Sequence, residues 1–199
     1  MTRFRSRVGL VMLAAVALLI PAGSASAALV DTSLCDGAQL SQPFAAYGDQ
    51  NFYKLAPGGD FEGSLSGWSV NGARVVSGGS DSAHALQLGP GASATTAPFC
   101  VNAANPSYRF FSRSSGGLLG LLPVMNVSLV YRDGLLGLVA LPLGVAVPTS
   151  SWAPSPVELT LAALPAALAN GDVPLSLRFR AIAGTWTVDD VFVDPWNRG

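Results

Sequence analysis

The stretch Val173 to Ala181, VPLSLRFRA, alternates without a fault: Val173, Leu175, Leu177, Phe179 and Ala181 fall in one register, Pro174, Ser176, Arg178 and Arg180 in the other. Successive side chains of an extended chain point to opposite faces, so strict period two predicts a strand with one face buried and one face wet. Pro174 has no N–H for a ladder, which places it at the strand's start or on an edge. Shorter stretches of similar character recur along the chain, separated by glycine, proline, serine and asparagine. They are Trp68 to Ser77, Ala83 to Leu88, Ala94 to Val101, Tyr108 to Ser114, Val124 to Arg132, Leu138 to Val147, Val157 to Leu161 and Thr185 to Val193. Asp133-Gly134 supplies the positive φ values of a tight hairpin between two of them. Only residues 161–169, LAALPAALA, have helical composition, and Pro165 limits them to a short helix of a turn or two. About nine strands with almost no helix predict an all-β fold, an antiparallel β-sandwich or jelly roll.

The first 27 residues stand apart from this pattern. Arg3, Arg5 and Arg7 precede an apolar run from Val8 to Ile20, which is followed by Ala25-Ser26-Ala27. That is the build of a secretory signal peptide, with cleavage expected after Ala27. The run is well short of the roughly 20 residues a spanning helix needs, so no membrane span is expected after cleavage. The remaining chain of about 170 residues suits one domain. We expect residues 28–56 to form an N-terminal segment and 57–196 the sandwich domain. Loss of the leader leaves eight basic residues against twelve acidic ones, a balance that argues against nucleic acid as a partner. Two cysteines in an exported chain, Cys35 and Cys100, are expected to form one disulfide, worth on the order of 4 kcal/mol in the chain-entropy account.

Little in the chain suggests catalysis. His84 is the sole histidine, and Asp81 and Ser82 beside it cannot form a hydrogen-bonded triad with it if the segment is extended. A hydrolase is therefore the remotest reading of these residues.

The acidic residues are more informative at the two ends of the mature chain. In PGGDFEGSLSGW, Asp60 and Glu62 flank Phe61, so an extended backbone would send both carboxylates one way and Phe61 into the core. In GTWTVDDVFVDPW, Trp186 and Val188 occupy one register of alternation, Val191 and Val193 the other, and the switch falls at Asp189-Asp190. A β-bulge there would let both apolar pairs face the core. If the first and last strands pair, Glu62 comes close to Asp189. Such a meeting of carboxylates either takes a hard cation, calcium being the usual extracellular one, or consists of separate solvated acids.

These two segments together resemble the galactose-binding-like jelly rolls, and in particular the carbohydrate-binding modules of families 4, 9 and 22. The resemblance rests on Gly59, Phe61, Glu62, Gly67 and Trp68 near the start and on Trp186, Val188, Asp189, Asp190 and Val191 near the end. It extends more loosely to Ser82–Leu88 and Tyr108–Ser114. It implies a jelly roll with a structural calcium near Glu62 and Asp189, so that Asp60, Glu62, Asp189 and Asp190 are the expected metal ligands. It also implies a polysaccharide or cell-surface glycan as partner. The candidates for a sugar site are Trp152 as an exposed stacking platform, Tyr131, Tyr108 and Trp196 as further aromatics, and Arg178 and Arg180 as donors. Trp68 and Trp186 are expected to pack inside. The alternative reading is a structural or adhesive extracellular domain with no sugar site.

Overall fold

The computed structural model describes residues 40–101, 107–117, 122–133, 137–160 and 173–194. The leader, Cys35, the helical stretch 161–169 and Trp196 lie outside them. Twelve strands are present: β1 (Leu40–Ser41), β2 (Tyr53–Leu55), β3 (Ser69–Ser77), β4 (His84–Thr95), β5 (Phe99–Val101), β6 (Ser107–Ser115), β7 (Val124–Asp133), β8 (Gly137–Val145), β9 (Ala153–Pro154), β10 (Glu158–Leu159), β11 (Val173–Ala183) and β12 (Thr185–Asp194). A single 3-10 turn, Ala45–Tyr47, is the sole helical element among the described residues. Every pairing is antiparallel, and the strands form an all-β jelly-roll sandwich.

Strand β4 joins the two layers. Leu86, Gln87 and Leu88 pair with β12, whereas Ser93, Ala94 and Thr95 pair with β11. Between these halves lie Gly89, Pro90 and Gly91, the last at φ +82°, which let the strand turn from one layer into the other. The sequence suggests two strands here, Ala83–Leu88 and another from Ala94; the glycines bend a single strand instead of ending it. One layer runs β3, β4, β11, β7, β8, and the other is built on β12 and β6 with the short strands β1, β2, β9 and β10 at its margins. β7 and β8 pair from Asn126↔Val145 to Asp133↔Gly137, as the hairpin reading requires. β8 is an edge, and Pro142 interrupts its donors, which discourages pairing with another chain.

The alternating residues of β11 behave as expected. Leu175, Leu177, Phe179 and Ala181 are buried in one core with Leu86, Leu88, Phe110, Val127, Leu129, Trp186 and Val188. Phe110 meets Phe179 edge to face at 5.1 Å between ring centroids. Each such side chain contributes about 1.5–3 kcal/mol by leaving water. The register of β12 against β6 slips between Asp189 and Phe192, the bulge anticipated from the sequence. Its effect is that Trp186, Val188, Val191 and Val193 are all fully buried.

The opening segment meets the last strand, also as expected. Ala56 N–H donates to Val191 O at 2.8 Å, and Val191 N–H donates to Gly59 O at 3.1 Å. Phe61 and Trp68 turn inward, their ring centroids 5.0 Å apart. The local backbone differs from the extended reading, because Phe61 sits at φ +55° in a bend. Gly59 is needed where it stands, since a Cβ there would lie 2.9 Å from Val191 O.

A second, smaller apolar cluster lies on the outside of the β6/β12 layer. Phe111 and Phe192 are in the registers opposite to Phe110 and Val191, and Phe44 and Tyr53 from the N-terminal segment close over them. Arg109 fastens that cover: its Nη1 is 2.6 Å from Asp49 Oδ2, its Nε donates to Ser155 O at 2.9 Å, and its guanidinium lies 4.1 Å from the Phe44 ring centroid.

Candidate functional site

The wet register of β11 carries the chemistry. Arg178 stands opposite Thr95 on β4 and Ser128 on β7; Arg180 stands opposite Ser93 and Asn126. The rows continue to Ser69 and Asn71 on β3. Directly opposed residues of an antiparallel pair point to the same side about 4.5–5.5 Å apart. The outer face of this layer is therefore a field of small hydroxyls and amides with two guanidinium groups at its centre. Arg178 Nε donates to Thr95 Oγ1 at 3.2 Å, and Arg180 is exposed.

The aromatic candidates are elsewhere. Tyr131 shares the register of Val127 and Leu129 and packs half-buried against the main core. Tyr108 is buried in that core. Trp152 corrects the expectation of an exposed platform: it is half-buried against the Phe111 cluster on the other layer, with the Arg113 guanidinium 4.8 Å from its ring centroid. The cause is β9. Ala153 and Pro154 pair with Ser112 and Phe111, which draws the neighbouring Trp152 onto that layer. Of the expected sugar site, Arg178 and Arg180 share a face, and Trp152 and Tyr131 do not join them. Among the described residues the exposed aromatics are Tyr47 and Phe52, both in the N-terminal segment.

The acidic residues form two arrangements that meet at Ser82. Glu62 accepts from His84 N–H at 2.6 Å and contacts His84 Nδ1 at 3.1 Å. The His84 side chain is what holds the Glu62 carboxyl below the usual range. Asp60 Oδ1 accepts from Glu62 N–H at 3.4 Å. Asp189 and Asp190 are instead clamped by the loop before β4. Ser80 N–H donates to Asp189 Oδ2 at 2.7 Å, Ser82 Oγ lies 2.9 Å from the same oxygen, and Ser80 Oγ donates to Asp190 Oδ2 at 2.6 Å. A Cβ on Gly79 would stand 2.5 Å from Asp189 Oδ2, so the loop backbone closes over the carboxylate. Burial raises the Asp189 carboxyl; burial, with the charges of Asp189 and Asp81 adding to it, pushes Asp190 up to about 7.

This arrangement does not fit calcium in the expected manner. Calcium takes about six to eight oxygen ligands. Of the set Asp60, Glu62, Asp189 and Asp190, His84 holds Glu62 and the serine loop holds oxygens of both aspartates. Among the described residues no group of three or more His, Cys, Asp or Glu side chains has metal-binding geometry. Burial raises both carboxyls, so the pair takes up a proton more readily than solvated aspartates would. Asp190 itself is held at φ +49°, strain that the bulge and the two serines maintain.

A cleft of about 310 Å³ opens between the layers, lined by Phe110, Ser112, Ala146, Thr149, Ser155 and Arg109 among others. Arg109 is its one charged group and is already paired with Asp49. Its described lining holds no histidine, cysteine or carboxylate.

Similarity to known structures accords with this architecture. The chain superposes on part of the N-terminal CBM22-1–GH10 fragment of Clostridium thermocellum endo-1,4-beta-D-xylanase 10B, solved with xylohexaose, with a TM-score of 0.52 and 15% identity, covering 70% of this chain and 28% of that one. The fold is that of a jelly-roll β-sandwich. Other jelly rolls match more loosely: the CBM22-1 xylan-binding domain of Paenibacillus barcinonensis Xyn10C with a TM-score of 0.42 and 12% identity, covering 69% of this chain and 91% of that one. The family 11 carbohydrate-binding module of the Clostridium thermocellum cellulase Lic26A-Cel5E has a TM-score of 0.42 and 15% identity, covering 72% of this chain and 94% of that one. No protein-family model and no curated protein matches the chain.

Proposed function

We propose that this chain is a secreted, non-catalytic polysaccharide-binding module, and that the polysaccharide lies across the outer face of the β3–β4–β11–β7–β8 layer. The observation that carries this is the face itself: two arginines ringed by Thr95, Ser128, Ser93 and Asn126, with no described segment laid over them, while the opposite layer is covered by Phe44 and Tyr53. The leader supports export, and the likeness to carbohydrate-binding modules supports the class of partner. Binding of the purified mature chain to immobilised polysaccharides tests the reading. Arg178→Ala/Arg180→Ala is expected to lose at least tenfold in affinity with its fold intact, and Trp152→Ala to bind as the parent does. Retention of full affinity by the double variant would move the site off this face. Failure of the parent to bind any glycan would favour a structural or adhesive role.

A further inference from the structure

We infer that the polysaccharide recognised by this face is anionic, with carboxylate groups along its chain. This rests on the proposed module reading and adds the chemical class of its ligand. The first support is a charge left unanswered. Among the arginines whose side chains are described, Arg109 is the one in an ion pair, with Asp49; Arg113 lies over Trp152, and Arg74 and Arg178 each donate to a neutral side chain, Gln87 at 2.8 Å and Thr95 at 3.2 Å. Arg178 and Arg180 form no ion pair among the described residues, and each of their cross-strand neighbours is neutral. The mature chain as a whole carries more acids than bases, so two adjacent guanidinium groups on one face with no carboxylate partner among the described residues run against its average.

Spacing supports the same conclusion. Residues two apart on a strand lie about 7 Å apart on one face, close enough that each arginine raises the local potential at the other. Like charges held side by side destabilise the free face slightly, and an anion that bridges them relieves this. The second support is the composition of the rows. Ser69, Thr95, Arg178, Ser128 and Pro142 form one, Asn71, Ser93, Arg180, Asn126 and Val145 the other, and neither contains an aromatic ring on which an uncharged sugar could stack. Apart from the apolar edge at Pro142 and Val145, a neutral glycan would gain exposed hydroxyl hydrogen bonds here, which exchange with water at small net gain. A carboxylate offers two oxygens in the geometry of the guanidinium fork, and charge-assisted bonds of that kind are roughly twice as strong as neutral ones.

The test uses three soluble polymers with the mature chain: polygalacturonate, its fully methyl-esterified form, and unsubstituted xylan. Polygalacturonate is expected to bind at least tenfold more tightly than either neutral polymer, to weaken at least tenfold between about 50 and 500 mM salt as screening shortens, and to lose about tenfold for each arginine changed in Arg178→Gln and Arg180→Gln. The salt series on the parent protein stands even if a variant fails to fold. Equal, salt-insensitive binding to the ester or to xylan would overturn the anionic assignment and leave the module reading in place. No binding to any of the three by a folded protein would overturn both.

Discussion

Replacing Arg109 with methionine keeps much of the side chain's apolar stem and removes its charge, and the structure allows the consequence to be worked through. Arg109 and Asp49 are 9% and 15% exposed at their side chains, so the pair is largely out of water. The substitution deletes the 2.6 Å contact to Asp49 Oδ2, leaves Ser155 O without its 2.9 Å donor, and removes the cation above the Phe44 ring. Breaking one side of a buried pair typically costs about 3–5 kcal/mol. Asp49 keeps two donors, the Tyr53 hydroxyl and Asn51 N–H, so the lower end, about 3 kcal/mol, is expected. For a chain of this size that is a fall in Tm of about 6–12 °C, read by calorimetry at pH 7, with earlier proteolytic cutting near residues 40–56. Adding Asp49→Asn to Arg109→Met is expected to recover part of the loss, because the stranded charge is gone. A single variant that melts within about 3 °C of the parent would refute the view that this pair clamps the N-terminal segment to the sheet.

Gly79→Ala is expected to cost about 2 kcal/mol, since its Cβ would meet His84 O at 2.4 Å and Asp189 Oδ2 at 2.5 Å; an unchanged Tm would mean that the serine loop is not packed as described. Because Asp190 is pushed up to about 7 from an unfolded value near 4, the folded state holds the extra proton between those values. The pair's contribution to stability therefore falls as pH rises from about 4 to 7, and Asp190→Asn should flatten that slope in a melting series. Asp49 acts in the opposite sense: burial works against it, but Tyr53, Asn51 and Arg109 hold its carboxyl low, so its contribution is present above its unfolded value and lost as pH falls through its folded one. Chelation is expected to leave the Tm unchanged, and a fall reversed by added calcium would show that the aspartates take a metal after all.

Much of the fold is legible in the residues. The alternation of Val173 to Ala181 identifies both the buried register and the wet arginines, and the register switch at Asp189-Asp190 announces the bulge that buries Trp186, Val188, Val191 and Val193 together. Trp152 reads as exposed because its local context, between Ser151 and Ala153 in a proline-rich stretch, looks like a loop. Strands β1, β2 and β9 are invisible in the sequence, being two or three residues long and too short to show any period. The calcium expectation brings the first and last segments together correctly but misses His84, which takes Glu62, and the Ser80–Ser82 loop, which takes the aspartates.

Periodicity is a local property, and it is enough to say which face of each strand is apolar, that the fold is a β-sandwich, and that Arg178 and Arg180 stand in water. It says nothing of what stands beside them. The neutral neighbours Thr95, Ser128, Ser93 and Asn126 arrive on β4 and β7, strands far from β11 along the chain. The cover of Phe44 and Tyr53 over the opposite layer is likewise a long-range event. Among the described residues one face is closed by aromatics, and the other carries two arginines with no ion-pair partner, because charge and burial at a position depend on the strands that come to lie next to it.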